Sequence, residues 1–210
     1  MKGLFYKEAR CLWQYGKSYI LLVVIFFGLA FLNGGSEGAN PMWLLYPVFF
    51  VGSLPASLLS ADEKDGWLTY CDTLPIGRRQ IVAVKYVASA ALTAAIVVLA
   101  LLIGALAGRL AVTGGAAAPL PMLVPLLLAV GLGVPALMYP VMFRFGATKG
   151  RAVYMAVVMV AAATCAVLMT SESVSGALDA LPILPVIAAA AAVFIGSWVL
   201  SVKWFEGREL

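Results

Sequence analysis

Hydrophobic and polar positions along this chain are segregated into long apolar runs and short polar intervals. The runs lack the alternation with period two that marks half-buried strands, and most are long enough to cross about 30 Å of hydrocarbon as a helix. Six runs meet this condition and are predicted to be transmembrane helices: residues 17–32, 41–59, 80–112, 120–143, 152–170 and 182–204. The pattern therefore predicts an all-α polytopic membrane protein. The composition agrees, since 63% of the residues are hydrophobic and 11% are charged.

The positions of Lys and Arg predict how the chain is oriented. Thirteen of the 14 basic residues precede the first span, lie in or border residues 60–79, or follow the fourth or sixth span. The intervals on the other side contain only Arg109. By the positive-inside rule, both termini and residues 60–79 are cytoplasmic. The net charge of +4 follows from this topology and does not indicate nucleic-acid binding.

Residues 1–16 have the pattern of an amphipathic helix. Leu4, Phe5 and Leu12 fall on its apolar arc and Lys7 on the basic arc, while Glu8 interrupts the apolar side. This arrangement predicts a helix that lies in the cytoplasmic interface before the chain turns into the membrane. The alternative is a basic flank that is helical but has no interfacial role.

The interval 60–79 is the most charged part of the chain between two spans. Ser60 and Glu63 have the spacing of a capping box, and Asp62 and Asp65 suit the positive end of a helix dipole. A short helix is therefore predicted over 61–72, ended by Pro75 and Gly77. The large apolar side chains of the interval 60–79 are Trp67, Leu68 and Leu74. They either contact a cytoplasmic partner or dip into the membrane interface.

Residue types needed for catalysis or metal binding are scarce. The chain has no His and only three cysteines, with no CxxC pair, and Gly16-Lys17 lacks the rest of a phosphate-binding loop. No catalytic residue, metal site or bound cofactor is expected. No ionisable residue falls near the middle of a predicted span, which disfavours a self-powered transporter. Hydroxyls within the spans, such as Ser89, Thr93 and Ser197, either line a route for amphipathic or apolar cargo or bond helix to helix.

The fourth predicted span is rich in proline and glycine. Proline removes a backbone donor and clashes with the preceding turn, so a kinked or broken helix is expected, either as a moving hinge or as a static bend. The hinge candidates are Pro125, Gly131, Gly133, Pro135 and Pro140.

The stretch DEKDGWLTYCDTLPIGRRQIVAVKY, residues 62–86, resembles the first cytoplasmic loop of the membrane subunits of type-2 ABC exporters. The likeness is greatest to small bacterial permeases related to exporters of antimicrobial and cytolytic peptides. In these, an acidic stretch with Gly-Trp leads through Leu-Pro-Ile and basic residues to Lys-Tyr. The opening MKGLFYKEAR is similar to their interfacial helix, including its Lys-Glu pair, and the six-span layout matches over the whole chain.

The resemblance implies a single permease domain, 1–210, in the plasma (inner) membrane of a bacterium. It comprises an interfacial helix (1–16), spans 1 and 2 (17–59), a coupling loop (60–79), spans 3 to 6 (80–204) and a cytoplasmic tail (205–210). A second permease subunit, identical or not, and a separate ATPase subunit that binds ATP and Mg are implied partners. The coupling helix would dock on the ATPase through Asp62, Glu63, Asp65, Trp67, Leu68, Leu74, Pro75, Arg78 and Arg79.

Two functions other than transport have weaker support in the sequence. Asp65-Gly66 begins like the metal-binding motif of the membrane phosphatidyltransferases, but Thr69 and Tyr70 replace its Ala-Arg and the later aspartates are missing. A non-transporting membrane assembly or immunity protein remains the alternative, because a bundle with few polar groups need not move anything.

Overall fold

The computed structural model describes residues 2–33, 42–71, 73, 77–110, 120–146, 149–150, 152–156, 159 and 183–207, and all regular secondary structure within these ranges is helical. Residues 152–156 form a short helical stretch. The principal helices are α1 (Lys2–Asn33), α2 (Met42–Lys64), α3 (Trp67–Cys71), α4 (Arg78–Leu110), α5 (Leu120–Phe145) and α6 (Ile183–Glu206).

Five helices in the described part of the chain are long and apolar enough to cross a membrane, namely α1, α2, α4, α5 and α6. The prediction of an all-α membrane protein is confirmed. For α4, α5 and α6 the ends lie within a few residues of those predicted. The fifth predicted span, 152–170, lies mostly outside the described residues, so the predicted total of six stays a prediction.

Helix α1 corrects the predicted boundary between residues 16 and 17. An interfacial helix followed by a turn was expected, but one helix runs without interruption from Lys2 to Asn33. Neither proline nor a positive-φ glycine interrupts it, and Gly16 alone costs a helix only about 1 kcal/mol. At 1.5 Å per residue this helix is about 48 Å long, which exceeds the hydrocarbon thickness of about 30 Å.

The end of α2 corrects the predicted capping box. Ser60 and Glu63 lie inside the last two turns of α2, so Ser60 does not begin a helix. The helix instead ends at Lys64, and Gly66 adopts a positive φ of 68° that reverses the chain into α3. The backbone N–H of Asp65 still bonds the carbonyl of Ala61 at 2.9 Å. A capping side chain is favourable only at a free helix end, whereas here α2 continues and Asp62, in the turn that follows Ser60, is buried.

The helices pack into a bundle with α2, α4 and α5 at its centre. Helix α1 contacts α2 and α4, and α6 contacts α5 and α4. One core cluster includes Leu59, Val82, Phe143 and Phe205. A second cluster lies between α1, α2, α4 and α5 and includes Phe27, Val48, Ala100 and Leu127.

Candidate functional site

Five helix ends meet at one end of the bundle, which we call the basic end. They are the N-termini of α1 and α4 and the C-termini of α2, α5 and α6. Contacts between charged side chains and their neighbours hold these ends together: Lys7–Asp62, Lys85–Asp62, Arg79–Glu206 and Arg144–Trp204. The basic end also carries α3, so it contains most of the residues that the sequence analysis selected.

At the centre of the basic end is an ionic cluster formed by Lys7, Glu8, Asp62 and Lys85. The Nζ of Lys85 donates to Oε1 of Glu8 at 2.7 Å and to Oδ2 of Asp62 at 2.5 Å. Lys85 is 2% exposed, and Glu8 and Asp62 are each 5% exposed. The ammonium of Lys7 bonds the second oxygen of Asp62. Two cations thus face two anions, which is the balance that buried charges require.

The ionic cluster joins three helices that are distant in sequence. Glu8 belongs to α1, Asp62 to the last turn of α2 and Lys85 to the second turn of α4. This explains why Glu8 interrupts the apolar arc of α1: its side chain points inward to Lys85. The helical turn of α2 that follows Ser60 places Asp62 beside Lys85.

Helix α3 is attached to the ionic cluster through Trp67. The Nζ of Lys7 lies 4.8 Å from the centroid of the Trp67 ring, within cation–π range. Trp67 is half-buried against the core cluster that contains Leu59 and Phe143. Tyr70, on the next turn, is 56% exposed, although its ring lies 5.7 Å from that of Trp67. The face of α3 turned to solvent is therefore formed by Thr69 and Tyr70.

Arg78 and Arg79 connect the start of α4 to the end of α6. Arg78 donates to the carbonyl of Phe205 at 3.1 Å, and its guanidinium lies 5.6 Å from the Phe205 ring. A cation at this position complements the negative end of the α6 dipole. Arg79 pairs with Glu206 at 2.8 Å but remains largely exposed.

A polar layer lies next to the ionic cluster, between α4, α5 and α6. Its hydroxyls belong to Tyr86, Ser89, Tyr139, Ser197 and Ser201. Tyr86 lies 2.7 Å from both Ser197 and Ser201, and Tyr139 lies 2.6 Å from Ser89. Every buried side-chain nitrogen or oxygen in the described ranges has a hydrogen-bond partner. The layer therefore holds the helices together without an unsatisfied group.

Two prolines of α5 determine where hydroxyls of other helices bond. Pro135 has no N–H for the carbonyl of Gly131 four residues earlier, and Thr93 of α4 donates to that carbonyl at 3.0 Å. Pro140 likewise frees the carbonyl of Ala136, to which Ser197 of α6 donates at 2.5 Å. Neighbouring Ser and Thr side chains satisfy such carbonyls in membrane helices.

These bonds decide between two of the sequence interpretations. Helix α5 continues through Pro125, Pro135 and Pro140, so the broken helix that was one expectation for the hinge region is wrong. The hydroxyls of Thr93 and Ser197 bond helix to helix. Whether the region moves as a hinge stays a prediction. A Cβ added at Gly133 would meet nothing within 4 Å.

An amphipathic cavity of about 250 Å³ lies between α1, α2, α5 and residues 154–155. Aromatic rings and methionines form most of its wall, and hydroxyls form the rest: Tyr19, Phe49, Phe50, Ser53, Ser57, Met138, Tyr154 and Met155. The hydroxyls of Tyr19 and Ser57 lie 3.3 Å apart. Further rings continue this surface toward the far end of α2, where Phe26 packs on Tyr46 at 5.3 Å.

The structure separates the predicted coupling residues into inward and outward groups. Asp62 is buried in the ionic cluster, and Glu63 is half-buried while Asp65 is exposed. Leu68 lies on α3. Leu74 and Pro75 lie outside the described residues. Three residues of α1 were predicted to share the apolar arc of an interfacial helix. Of these, Leu4 is buried, Leu12 is half-buried and Phe5 is exposed.

The role of Lys85 in the ionic cluster was not predicted from the sequence, in which Lys85 was counted with the residues that border the polar interval. The available signal was a single lysine between apolar residues, as in VAVKYVA. A charge in such a run requires a partner of opposite sign if the run is buried. Within the described ranges no group of three or more His, Cys, Asp or Glu residues is placed to hold a metal ion.

A family described as "ABC-2 family transporter protein" matches the chain over residues 3–206. No curated protein matches the sequence.

Proposed function

The chain belongs to the ABC-2 family of transporter proteins as a type-2 ABC permease subunit, and we propose that it exports an amphipathic or apolar cargo, such as a peptide, an antibiotic or a lipid-like molecule. Members of this family are membrane components that work with an ATP-binding cassette subunit rather than catalytic units themselves. In the proposal the partner binds ATP and Mg, and its hydrolysis drives export.

The single observation that carries the proposed coupling to an ATPase is the ionic cluster, which contacts α3 through Lys7 and Trp67. Transport driven from outside the membrane requires an element that passes force from the motor to the spanning helices. Lys7 contacts both Trp67 of α3 and Asp62 of α2, and Lys85 ties Asp62 to α1 and α4. A displacement of α3 would therefore act on three spanning helices together, since buried ion pairs with good geometry resist separation.

The proposed contact with the ATPase lies on the exposed face of α3. Trp67 is one of the residues predicted to dock on the ATPase, but its side chain is half-buried against the core and its ring faces Lys7. Among the α3 side chains that the structure describes, Tyr70 is a large one that is exposed to solvent. Tyrosines of this kind often act as anchors at protein interfaces, where they are buried in a pocket of the partner.

The proposed cargo class rests on the amphipathic cavity. Its wall combines rings, thioethers and hydroxyls and, in the described ranges, includes no charged side chain. Such a surface suits a molecule with apolar and hydrogen-bonding parts and offers nothing to an ion. Export of a peptide of this character is the form of the proposal that the resemblance to peptide exporters favours.

The orientation and the assembly are also proposals. The concentration of Lys and Arg at the basic end supports a cytoplasmic location of both termini in a bacterial inner membrane. Single cysteines in a cysteine-free background test this. Gly207→Cys should be shielded from an impermeant thiol reagent in intact cells, and Glu37→Cys should react. The reverse pattern would remove α3 from the side on which ATP is available. A second permease subunit is expected to complete the transporter.

The experiment that tests the function is reconstitution with the ATPase subunit in proteoliposomes. ATP should drive movement of a fluorescent amphipathic peptide, and an ATPase variant that cannot hydrolyse ATP should abolish it. Tyr70→Ala should weaken ATPase binding by about 2 kcal/mol, as truncation of a central aromatic anchor does. Tyr6→Ala, which removes an exposed tyrosine from α1, is the matched control.

Two results would contradict the proposal. If no ATPase binds the purified permease, the coupling function fails. If the ATPase binds but Tyr70→Ala and Tyr6→Ala behave alike, the docking face is not on α3. Trp67→Ala separates packing from docking, because it should lower the thermal stability of the permease alone whereas Tyr70→Ala should not.

A further inference from the structure

We propose that a groove between α1 and α4 binds one acyl chain of an anionic phospholipid, whose phosphate is held by Arg10 and Lys17. The groove is distinct from the amphipathic cavity used for the cargo proposal, although Tyr19 borders both. The proposal concerns a lipid ligand of the permease and does not depend on which cargo is exported.

The groove has an apolar surface and a volume of about 540 Å³. Helix α1 forms one wall, with Gly16 and Ile20 among its residues, and α4 forms the other, with Ala95. Leu54 and Val51 of α2 lie at the bottom. The absence of a side chain at Gly16 leaves open space there, because a Cβ at this position would meet nothing within 4 Å.

The dimensions of the groove fit an acyl chain. Its wall on α1 extends from Ala9 to Val24, about 22 Å of helix axis. One leaflet contributes about 15 Å of hydrocarbon, so the wall accommodates the depth of a single leaflet. A helix segment of the same length and about 10 Å in diameter occupies on the order of 1,700 Å³. The groove is thus too small to enclose a helix of a second copy.

The charges beside the groove favour an anionic headgroup. Arg10 and Lys17 are two turns apart on α1 and are both exposed. In the chain they adjoin Ala9 and Gly16, which line the groove. Neither takes part in an ion pair among the described residues. Glu8, the acid nearest to them in sequence, is buried and bonded to Lys85. A phosphate between two cations has favourable electrostatics.

Trp13 supports the depth assigned to this headgroup. The residue lines the groove and is nevertheless 68% exposed in the protein alone. Tryptophan is enriched where hydrocarbon meets headgroups. Arg10 and Lys17 flank Trp13 in sequence, so the phosphate would lie at this level while the acyl chain runs toward Val24.

The test is native mass spectrometry of the permease released from nanodiscs that contain equal amounts of phosphatidylglycerol and phosphatidylcholine. The wild type should retain a phosphatidylglycerol. Gly16→Leu fills the groove and should reduce the bound lipid several-fold. Gly28→Leu is the matched control, because Gly28 is on the same helix, is exposed, and does not line the groove.

The headgroup is tested separately. The double variant Arg10→Gln, Lys17→Gln should lower the preference for phosphatidylglycerol over phosphatidylcholine by about tenfold or more, whereas Lys203→Gln should leave it unchanged. Equal retention of both lipids by the wild type would overturn the anionic assignment. Equal lipid retention by Gly16→Leu and Gly28→Leu would overturn the groove assignment, and so would loss of a permease dimer in Gly16→Leu with lipid retention unchanged.

Discussion

The Nζ of Lys85 lies 2.7 Å from Oε1 of Glu8, although 77 residues separate the two in the chain. This ion pair, shared with Asp62, fixes the start of α1 against the start of α4. Because both side chains are almost fully buried, the contact is shielded from the screening that weakens surface ion pairs.

Removal of Lys85 should strongly destabilise the permease. Lys85→Ala leaves the carboxylates of Glu8 and Asp62 buried without their shared cation, and breaking such a cluster costs about 3–5 kcal/mol. Thermal unfolding in detergent should show a large loss for Lys85→Ala and little change for Lys203→Ala, since Lys203 is exposed.

A version of the ionic cluster without its three buried charges, Glu8, Asp62 and Lys85, separates stability from coupling. The triple variant Glu8→Leu, Asp62→Leu, Lys85→Leu should recover most of the stability lost in Lys85→Ala, because apolar replacements of buried ion pairs are often neutral. If the ionic cluster transmits force, this variant should bind the ATPase but transport less per ATP hydrolysed. Equal stability of Lys85→Ala and Lys203→Ala would show that the buried pairing is absent in solution.

Gly131 and Gly133 form a matched pair for α5. A Cβ at Gly131 would lie 2.5 Å from Cγ2 of Thr93 and 3.1 Å from Cγ1 of Val48, whereas one at Gly133 would meet nothing within 4 Å. Gly131→Ala should therefore destabilise the bundle by about 1–3 kcal/mol through overpacking. Gly133→Ala should be neutral or slightly stabilising, because Ala favours a helix. Comparable unfolding temperatures for the two variants would argue against the close contact of α4 and α5.

The hydroxyl of Thr93 should matter only while residue 135 is proline. Thr93→Val preserves the shape but leaves the Gly131 carbonyl without its donor, with an expected loss of about 0.5–1.5 kcal/mol. In a Pro135→Ala background the new N–H can bond that carbonyl within α5. The same Thr93→Val change should then cost less. The unfolding free energies of the four proteins in this double-mutant cycle give the coupling energy between residues 93 and 135. An identical loss of stability in both backgrounds would refute the proposed link between Thr93 and Pro135.

Arg78 and Arg79 are adjacent but should differ in their effects. Arg79→Ala breaks a surface ion pair with Glu206 and should change the stability by less than about 0.5 kcal/mol. Arg78→Ala removes the donor to the Phe205 carbonyl and should cost about 1 kcal/mol. From the sequence, both arginines were predicted to serve either acidic groups of the ATPase or lipid phosphates. The stability of the two variants shows instead how much each arginine contributes to fastening α4 to α6. If Arg79→Ala were the more damaging change, the assignment from the structure would be wrong.

Much of the helical layout was predictable because the hydrocarbon core constrains sequence directly. A spanning segment must be apolar over about 20 residues and must satisfy its own backbone, so α2, α4, α5 and α6 are visible as runs of apolar residues. The family resemblance rested on the stretch DEKDGWLTYCDTLPIGRRQIVAVKY, the opening MKGLFYKEAR and the layout of the spans, and the family match confirms it. Local composition is enough for both conclusions.

Helix ends and the roles of charged residues were less predictable. Ser60 and Glu63 have the spacing of a cap, and the amphipathic pattern of residues 1–16 suggested a boundary, yet both α1 and α2 continue. A local signal for ending a helix is worth about 1 kcal/mol. Tertiary burial of the turn that follows can outweigh it, and no local pattern reports that burial.

The sequence by itself determined that the chain is a helical membrane protein, where most of its spans lie, and that its basic residues are concentrated in intervals that alternate with basic-poor ones. The tertiary structure alone decided that Asp62 faces Lys85 rather than a partner, that Glu8 points inward, and that Thr93 bonds Gly131. The physical reason is the sequence distance over which each interaction acts. Transfer into lipid is a sum over residues close in sequence, whereas pairing of a buried charge or carbonyl depends on side chains of other helices that only the packed bundle brings within about 3 Å.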